Sequence, residues 1–82
     1  MTDYKKINDL IHLAYRALVS CHYTRAEKLI IQIILEAQKA KDWTTFELAK
    51  KALTDCQRFH FLNVLRTLKQ IDPIQAKRKE LS

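Results

Sequence analysis

Residues 24–41 read TRAEKLIIQIILEAQKAK, and this stretch decides the class of fold. Its small and apolar residues recur at alternating steps of four and three, the spacing that places side chains on one face of an α-helix. They are Ala26, Ile30, Ile33, Ala37 and Ala40. The stretch therefore predicts an amphipathic helix, and the recurrence of this pattern along the chain predicts an all-α domain.

The same stretch carries more apolar residues than one buried face needs. Leu29, Ile31, Ile34 and Leu35 widen the stripe until it nearly surrounds the middle turns. A helix that is apolar on most sides is either central in its domain or covered by a partner. We expect Ile31, Ile34 and Leu35 to bind a protein partner, and a two-fold homodimer is the expected arrangement.

Two aromatic residues join this predicted partner-binding surface. Most aromatics of the chain lie on apolar stripes and are expected in the core, whereas Tyr15 and Phe61 are less well explained by one stripe. Exposed aromatics often anchor protein interfaces.

Two capping boxes mark predicted helix starts. Thr24-Arg25-Ala26-Glu27 and Thr44-Thr45-Phe46-Glu47 each place a threonine three residues before a glutamate, the pattern of a helix N-terminus. They predict Thr24 and Thr44 as N-caps. The two boxes lie 20 residues apart, a period too short for a repeated helical hairpin.

A change of phase in the apolar pattern divides the second half of the chain. The stripe of residues 46–56 and the stripe of residues 61–68 differ in direction by roughly 120°. We therefore predict a break or sharp kink between residues 54 and 60, and we expect Asp72-Pro73 to end the last helix.

The resulting prediction is a small antiparallel bundle of three to four helices within one domain, residues 1–71. A flexible basic tail, residues 72–82, follows the domain. The predicted helices cover residues 3–20, 24–41, 44–56 and 58–71.

The composition argues against catalysis. The chain has 82 residues, no glycine and one proline. Without glycine there is no glycine-rich phosphate loop or dinucleotide fingerprint, and no easy way to bring backbone N–H groups up to a substrate. Asp9 and His12 pair on a polar face with no nucleophile beside them. We expect no catalytic residues, no cofactor and no enzyme activity.

The sequence also predicts the compartment. Residues 1–6 lack the apolar core of a signal peptide, and the most apolar run is far shorter than the ~20 residues of a membrane span. Two cysteines favour a reducing compartment over a disulfide scaffold. We expect a cytoplasmic protein with no membrane span.

A zinc site is a second interpretation of the cysteines. Cys21 and His22 with Cys56 and His60 supply the two thiolates and two imidazoles of a tetrahedral site. Neither pair has the Cys-x-x-Cys spacing that identifies zinc sites, and each cysteine continues an apolar stripe. Core cysteines are the favoured interpretation, and no metal is expected.

The charge supports a second functional hypothesis. The chain has a net charge of +6, and residues 44–71 contribute five cations against Glu47 and Asp55. These cations are candidate phosphate ligands, with Phe59, His60 and Phe61 available to stack on bases. A solvated basic face explains the same charge, and no nucleic-acid-binding motif is present. The five are Lys50, Lys51, Arg58, Arg66 and Lys69.

The favoured interpretation is a small non-enzymatic regulator or adaptor that acts through helix-mediated protein–protein interaction. The alternative is a nucleic-acid-binding regulator that uses the basic C-terminal half. A third interpretation, a helical protein of the bacteriocin-immunity type, rests only on size, basic charge and all-α character. The salt dependence of nucleic-acid binding separates the first two.

Overall fold

The protein is a bundle of four helices. A computed structural model describes the backbone of residues 4–81 and the side chains of residues 6–71. The helices are α1 (Tyr4–Val19), α2 (Tyr23–Lys39), α3 (Trp43–Gln57) and α4 (Phe61–Leu81). Each helix packs against the next, and α1 also packs against α4, which closes the ring. Because three-residue turns join helices that pack together, neighbours run antiparallel, and the predicted all-α bundle is confirmed.

Each helix contributes one face to a single core. Four of the five residues predicted for the buried face of α2 are buried, and the fifth, Ala40, follows the end of the helix and is half-buried. Ile30 and Ile33 are fully buried. Burial of each such side chain stabilises the fold by about 2 kcal/mol. The small residues Ala49 and Ala52 line the buried face of α3. The other large contributors are Ile7, Ile11, Leu18, Val64, Leu68 and Ile71.

Three turns of one geometry connect the helices. We call residues 20–22 turn 1, residues 40–42 turn 2 and residues 58–60 turn 3. The middle residue of each turn has a left-handed backbone, with φ of 63° at Cys21, 57° at Lys41 and 63° at Phe59. Glycine normally occupies this position, because any other L-residue costs about 1–2 kcal/mol there. A chain without glycine therefore accepts this cost three times.

Backbone hydrogen bonds hold each turn in this geometry. The N–H of the third turn residue donates to the carbonyl five residues earlier, in the Schellman pattern that satisfies the end of a helix. The N···O distances are 2.8 Å from His22 to Ala17, 2.9 Å from Asp42 to Ala37 and 2.8 Å from His60 to Asp55.

The predicted N-caps are wrong by two residues. Helices α2 and α3 begin at Tyr23 and Trp43, so Thr24 and Thr44 lie within the first turns. Asp42 caps α3, because its carboxylate accepts from the Thr45 N–H at 3.3 Å and from the Thr45 hydroxyl at 2.7 Å. Aspartate is as good an N-cap as threonine, and Asp42 directly follows the left-handed residue that ends α2.

The predicted break in the second half is confirmed, since turn 3 separates α3 from α4. Helix α4 reaches Leu81, beyond the predicted end at residue 71. Proline removes only one backbone donor and can bend a helix without ending it. The side chains beyond Ile71 lie outside the described residues, and the mobility of residues 72–82 stays a prediction.

Candidate protein-binding surface

Aromatic side chains gather at one end of the bundle. Turns 1 and 3 lie at this end and turn 2 at the other, because successive helices alternate in direction. Tyr23 and Phe61, the first residues of α2 and α4, stack with ring centroids 3.9 Å apart and planes 7° apart. Phe59 meets Phe61 edge-on at 5.9 Å. We call this end, with Val19, Tyr23, Phe59, Phe61 and Leu62, the aromatic end.

The aromatic stack joins two helices that are otherwise apart. Among the described residues, α2 and α4 occupy opposite corners of the bundle and their backbones do not pack together. An aromatic pair contributes about 0.5–1.5 kcal/mol beyond its buried area. The Tyr23–Phe61 stack therefore stabilises this end of the bundle by joining the diagonally opposite helices α2 and α4. Phe61 also packs against the core.

The outer part of the aromatic end is exposed. Phe59, Leu62 and Val19 expose 74%, 72% and 62% of their surface, the highest values among the large apolar residues described. A shallow depression of about 430 Å³ lies among Phe59, His60, Phe61, Leu62 and Asn63. Exposed apolar side chains that line one depression, as Phe59 and Leu62 do, are typical of an interface.

Phe59 is unfavourable for the isolated domain in two ways. Its left-handed backbone is strained, with φ of 63°. Its side chain recovers little of that cost by burial, since three quarters of it is exposed and its described ring contact is the edge of Phe61. Glycine would satisfy the turn better, so folding alone does not explain an aromatic side chain here.

Arginines surround the aromatic end. All four arginines whose side chains are described lie within about two helical turns of turns 1 and 3. Among the described residues, none of the four forms an ion pair with a carboxylate. Two of them line a depression of about 270 Å³ between α1 and α2. The four are Arg16, Arg25, Arg58 and Arg66, of which Arg16 and Arg25 line that depression.

The two cysteines differ in environment. Cys56 is buried, which raises the pKa of its thiol, and the charge of Glu27 raises it further. Cys21 is exposed in turn 1, so the expectation that it lies in the core is wrong. The apolar stripe of α1 ends at Leu18, and the left-handed backbone turns Cys21 out of line with it. A hydrogen bond with Cys21 raises the pKa of Tyr23 and keeps its hydroxyl protonated.

The residues of the predicted partner-binding surface lie in three places. Ile31 and Leu35 are 39% and 50% exposed on α2, while Ile34 is half-buried against the core. Tyr15 lines a groove between α1 and α4, beside Ile11 and Leu68. Phe61 belongs to the aromatic end.

Sequence reasoning missed the two exposed aliphatic members of the aromatic end, Val19 and Leu62. A signal for them exists, since both interrupt the polar side of their helices. For Phe59 the sequence favours a place in the core, with base stacking as the alternative, and the core prediction is wrong because most of its surface is exposed, as is that of Trp43. The exposure of Phe59 follows from its place in turn 3, which periodicity does not locate to the residue.

The five cations predicted to bind nucleic acid do not form one stripe. All are exposed. Lys50 lies over the Phe46 ring at 5.1 Å, and Lys51 follows it about 100° around α3. Arg58 lies in turn 3 and Lys69 lines the groove between α1 and α4, so the set is spread over several sides. Arg66, on α4, is the fifth cation.

The candidate metal ligands are not assembled into a site. Cys56 is buried, whereas Cys21, His22 and His60 are exposed in the turns. His60 instead lies near Asp55, with Nδ1 and Oδ1 4.0 Å apart. Within the part of the chain that the structure describes, no group of three potential ligands could hold a metal ion.

Comparisons with known proteins identify no relative of the chain. No protein-family model matches the chain, and neither a curated protein nor a solved structure shows significant similarity to it. Of the described helices, none combines the length and the apolar character that a membrane crossing requires.

Proposed function

We propose that the protein is a small non-enzymatic adaptor or regulator of the cytoplasm that binds a partner protein through its aromatic end. Phe59 is the observation that carries the proposal. A strained, largely exposed phenylalanine weakens the free domain, and a partner that covers it recovers the missing burial. Two free cysteines support a reducing compartment.

The arrangement of the aromatic end favours a protein over nucleic acid. Tyr23 and Phe61 stack on each other, and the edge contact of Phe59 engages the Phe61 ring further. Leu62 and Val19, two of the most exposed residues, are aliphatic and offer no π-face for a base. Aliphatic and aromatic anchors together are typical of protein interfaces.

Comparative affinity capture from the source cell tests the proposal. The bait is the full chain, beside a Phe59→Ser/Leu62→Ser variant and a Trp43→Ser control. Trp43 is 56% exposed near turn 2, so the control removes an exposed aromatic from the other end. We expect one set of proteins to be retained by the unchanged chain and the control and lost by the double variant. Equal capture by all three baits would contradict the proposal.

Gel-shift titration tests the nucleic-acid alternative, in which Arg58 and Lys69 contact phosphate. Under that alternative, binding falls steeply with salt, and each lost contact reduces the log–log slope by about one. Under the adaptor proposal, Arg58→Glu/Lys69→Glu folds normally and changes protein capture more than nucleic-acid retention. Tight, salt-sensitive binding that Arg58→Glu abolishes would replace the adaptor proposal with the alternative.

We also propose a two-fold homodimer through the exposed side of α2. Ile31 and Leu35 lie one helical turn apart, and each exposes over a third of its surface. A two-fold contact buries both residues of each copy in one patch. Sedimentation at micromolar concentration should show a dimer that Ile31→Ser/Leu35→Ser dissociates. A single species of 9.7 kDa for the unchanged chain would contradict the dimer.

A further inference from the structure

We infer that the partner segment held by the aromatic end is an acidic, amphipathic helix that presents carboxylates beside an apolar side chain. This inference rests on the proposed function and specifies the chemistry of the partner. It follows from the charge around the aromatic end, from the identity of the cations there and from the dimensions of the bundle.

The aromatic end has the larger excess of positive charge. The described side chains there include four arginines and Lys28, against Glu27 and Asp55. The described side chains of the rest of the bundle include six lysines against four carboxylates, a smaller excess without arginine. The lysines are Lys6, Lys39, Lys41, Lys50, Lys51 and Lys69, and the carboxylates are Asp9, Glu36, Asp42 and Glu47. A positive field at one end attracts and orients an acidic partner.

The cations at the aromatic end suit carboxylates. Arginine presents a planar fork that binds a carboxylate through two parallel hydrogen bonds, whereas lysine acts as a point charge. Arg16 and Arg25 line the same depression between α1 and α2, and Arg58 and Arg66 belong to turn 3 and α4. Because no described carboxylate pairs with them, their donors are available to a partner.

The acidic side chains on the aromatic end do not neutralise this set. Glu27 accepts a hydrogen bond from the Gln57 amide at 3.4 Å. Asp55 lies beside His60, and its Oδ2 is buried with no hydrogen-bond partner. Both carboxylates thus point to groups within the bundle and leave the arginines to contact a second molecule.

The dimensions favour a short helix as the ligand. The bundle is 18 × 17 Å in cross-section. A helix of about 12 residues spans that width at 1.5 Å per residue. Such a helix can place an apolar side chain in the depression beside Phe59 and Leu62 and carboxylates one turn away on either side.

Titration calorimetry of the full chain with designed peptides tests the inference. One peptide of about 12 residues carries leucine and phenylalanine on one face and glutamates beside them. A second has lysine for each glutamate, and a third has alanine for each apolar anchor. We expect binding of the first peptide alone, and loss of binding with Phe59→Ser/Leu62→Ser.

Charge-reversal variants provide the matched control. Arg25→Glu/Arg58→Glu should weaken binding of the acidic peptide by at least about tenfold, the factor that one or two charge-assisted contacts supply. The same variant should gain binding to the lysine peptide. Lys41→Glu/Lys50→Glu changes the net charge equally at the opposite end and should leave the affinity unchanged. An equal loss in both variants would overturn the inference, because it would mean unspecific attraction.

Two further probes identify a different ligand. If a single-stranded oligonucleotide or a vesicle rich in phosphatidylserine binds more tightly than the acidic peptide, and Arg58→Glu abolishes that binding, the inference is wrong. If no peptide binds while capture from the cell still depends on Phe59, the acidic character of the partner is wrong and the adaptor proposal stands. If neither binding nor Phe59-dependent capture is seen, both are wrong.

Discussion

Turns 2 and 3 share one backbone geometry, but their side chains differ in chemistry and in burial. In turn 2, Lys41 is an exposed lysine, and the next residue, Asp42, is a buried N-cap that accepts two hydrogen bonds from Thr45. In turn 3, Phe59 is an exposed aromatic. The buried carboxylate of turn 2 is paired within the chain, whereas turn 3 presents apolar surface to the solvent.

The charged groups repeat this contrast between the two ends. Near turn 2, Glu36 pairs with Lys6 at 3.1 Å and with Lys39 at 3.5 Å. Near turns 1 and 3, the arginines have no such partner among the described carboxylates. A half-buried carboxylate is therefore paired with lysines near turn 2, whereas the described arginines near turns 1 and 3 form no ion pair.

The largest expected effect is a difference in stability between variants of the residues that precede α3 and α4. Asp42→Ala should lower the free energy of unfolding by about 2 kcal/mol, because it leaves the buried N–H and hydroxyl of Thr45 without these acceptors. His60→Ala, at the equivalent position of turn 3, should cost about 0.5 kcal/mol or less, because His60 is exposed. Urea unfolding measures both.

Thr44→Ala is the control for this pair. Thr44 is exposed in the first turn of α3, so its hydroxyl is not the cap and its loss should change stability little. A loss at Thr44 as large as the loss at Asp42 would show that the capping arrangement of turn 2 is different from the one described.

A smaller effect distinguishes the two left-handed residues. Lys41→Gly should raise the free energy of unfolding by about 1 kcal/mol, because glycine adopts positive φ without strain. Phe59→Gly should raise it by roughly half as much, since the edge contact with Phe61 is lost. Thermal unfolding measures the stability of both variants, and titration with the acidic peptide measures whether each variant still binds it.

The stability of Phe59→Gly distinguishes two roles for the Phe59 ring, contact with a partner and packing within the domain. A variant that gains stability and loses binding shows that the residue is kept for contact with a partner. If Phe59→Gly instead destabilises the domain by more than about 1 kcal/mol, the ring serves packing. The case for an interface at turn 3 would then lose its main support.

The sequence predicts the core well because burial follows a local period. Ile30 and Ile33 were assigned from helical spacing alone, and the change of phase between residues 56 and 61 located turn 3. The N-caps were misplaced because Asp42 and Thr44 are both good capping residues within one turn of each other. Without glycine, no residue in the sequence marks the left-handed position that resolves the choice.

The candidate surface is harder to predict from the sequence than the core, because its residues come from separate helices that only the folded topology brings together. Arg16, Arg25, Arg58 and Arg66 come from α1, α2, turn 3 and α4, and only the alternation of helix directions brings them to one end. The exposure of Phe59 likewise depends on the exact residue at which α3 ends. Periodicity locates such a boundary to within a few residues, which is too coarse to distinguish a core aromatic from an exposed one.

The smallest predicted effect concerns the paired charges near turn 2. The hydrogen bond from Lys6, aided by the charge of Lys39, lowers the pKa of Glu36 below its ordinary value. The ion pair therefore stabilises the fold at pH values above the pKa that Glu36 has in the unfolded chain. This contribution disappears as the pH falls through the lower pKa of the folded state.

The variant Glu36→Gln measures this contribution, and a variant at the aromatic end provides the comparison. At neutral pH Glu36→Gln should lose on the order of 0.5 kcal/mol, because the Lys6 partner is half exposed and water screens the pair. At a pH below the folded pKa of Glu36, the variant and the unchanged chain should be equally stable. Arg25→Gln removes a charge that has no described partner and should leave the free energy of unfolding unchanged at both pH values. If Arg25→Gln is as destabilising as Glu36→Gln, Arg25 is engaged within the bundle. The difference in charge pairing between the surroundings of turn 2 and the aromatic end is then wrong.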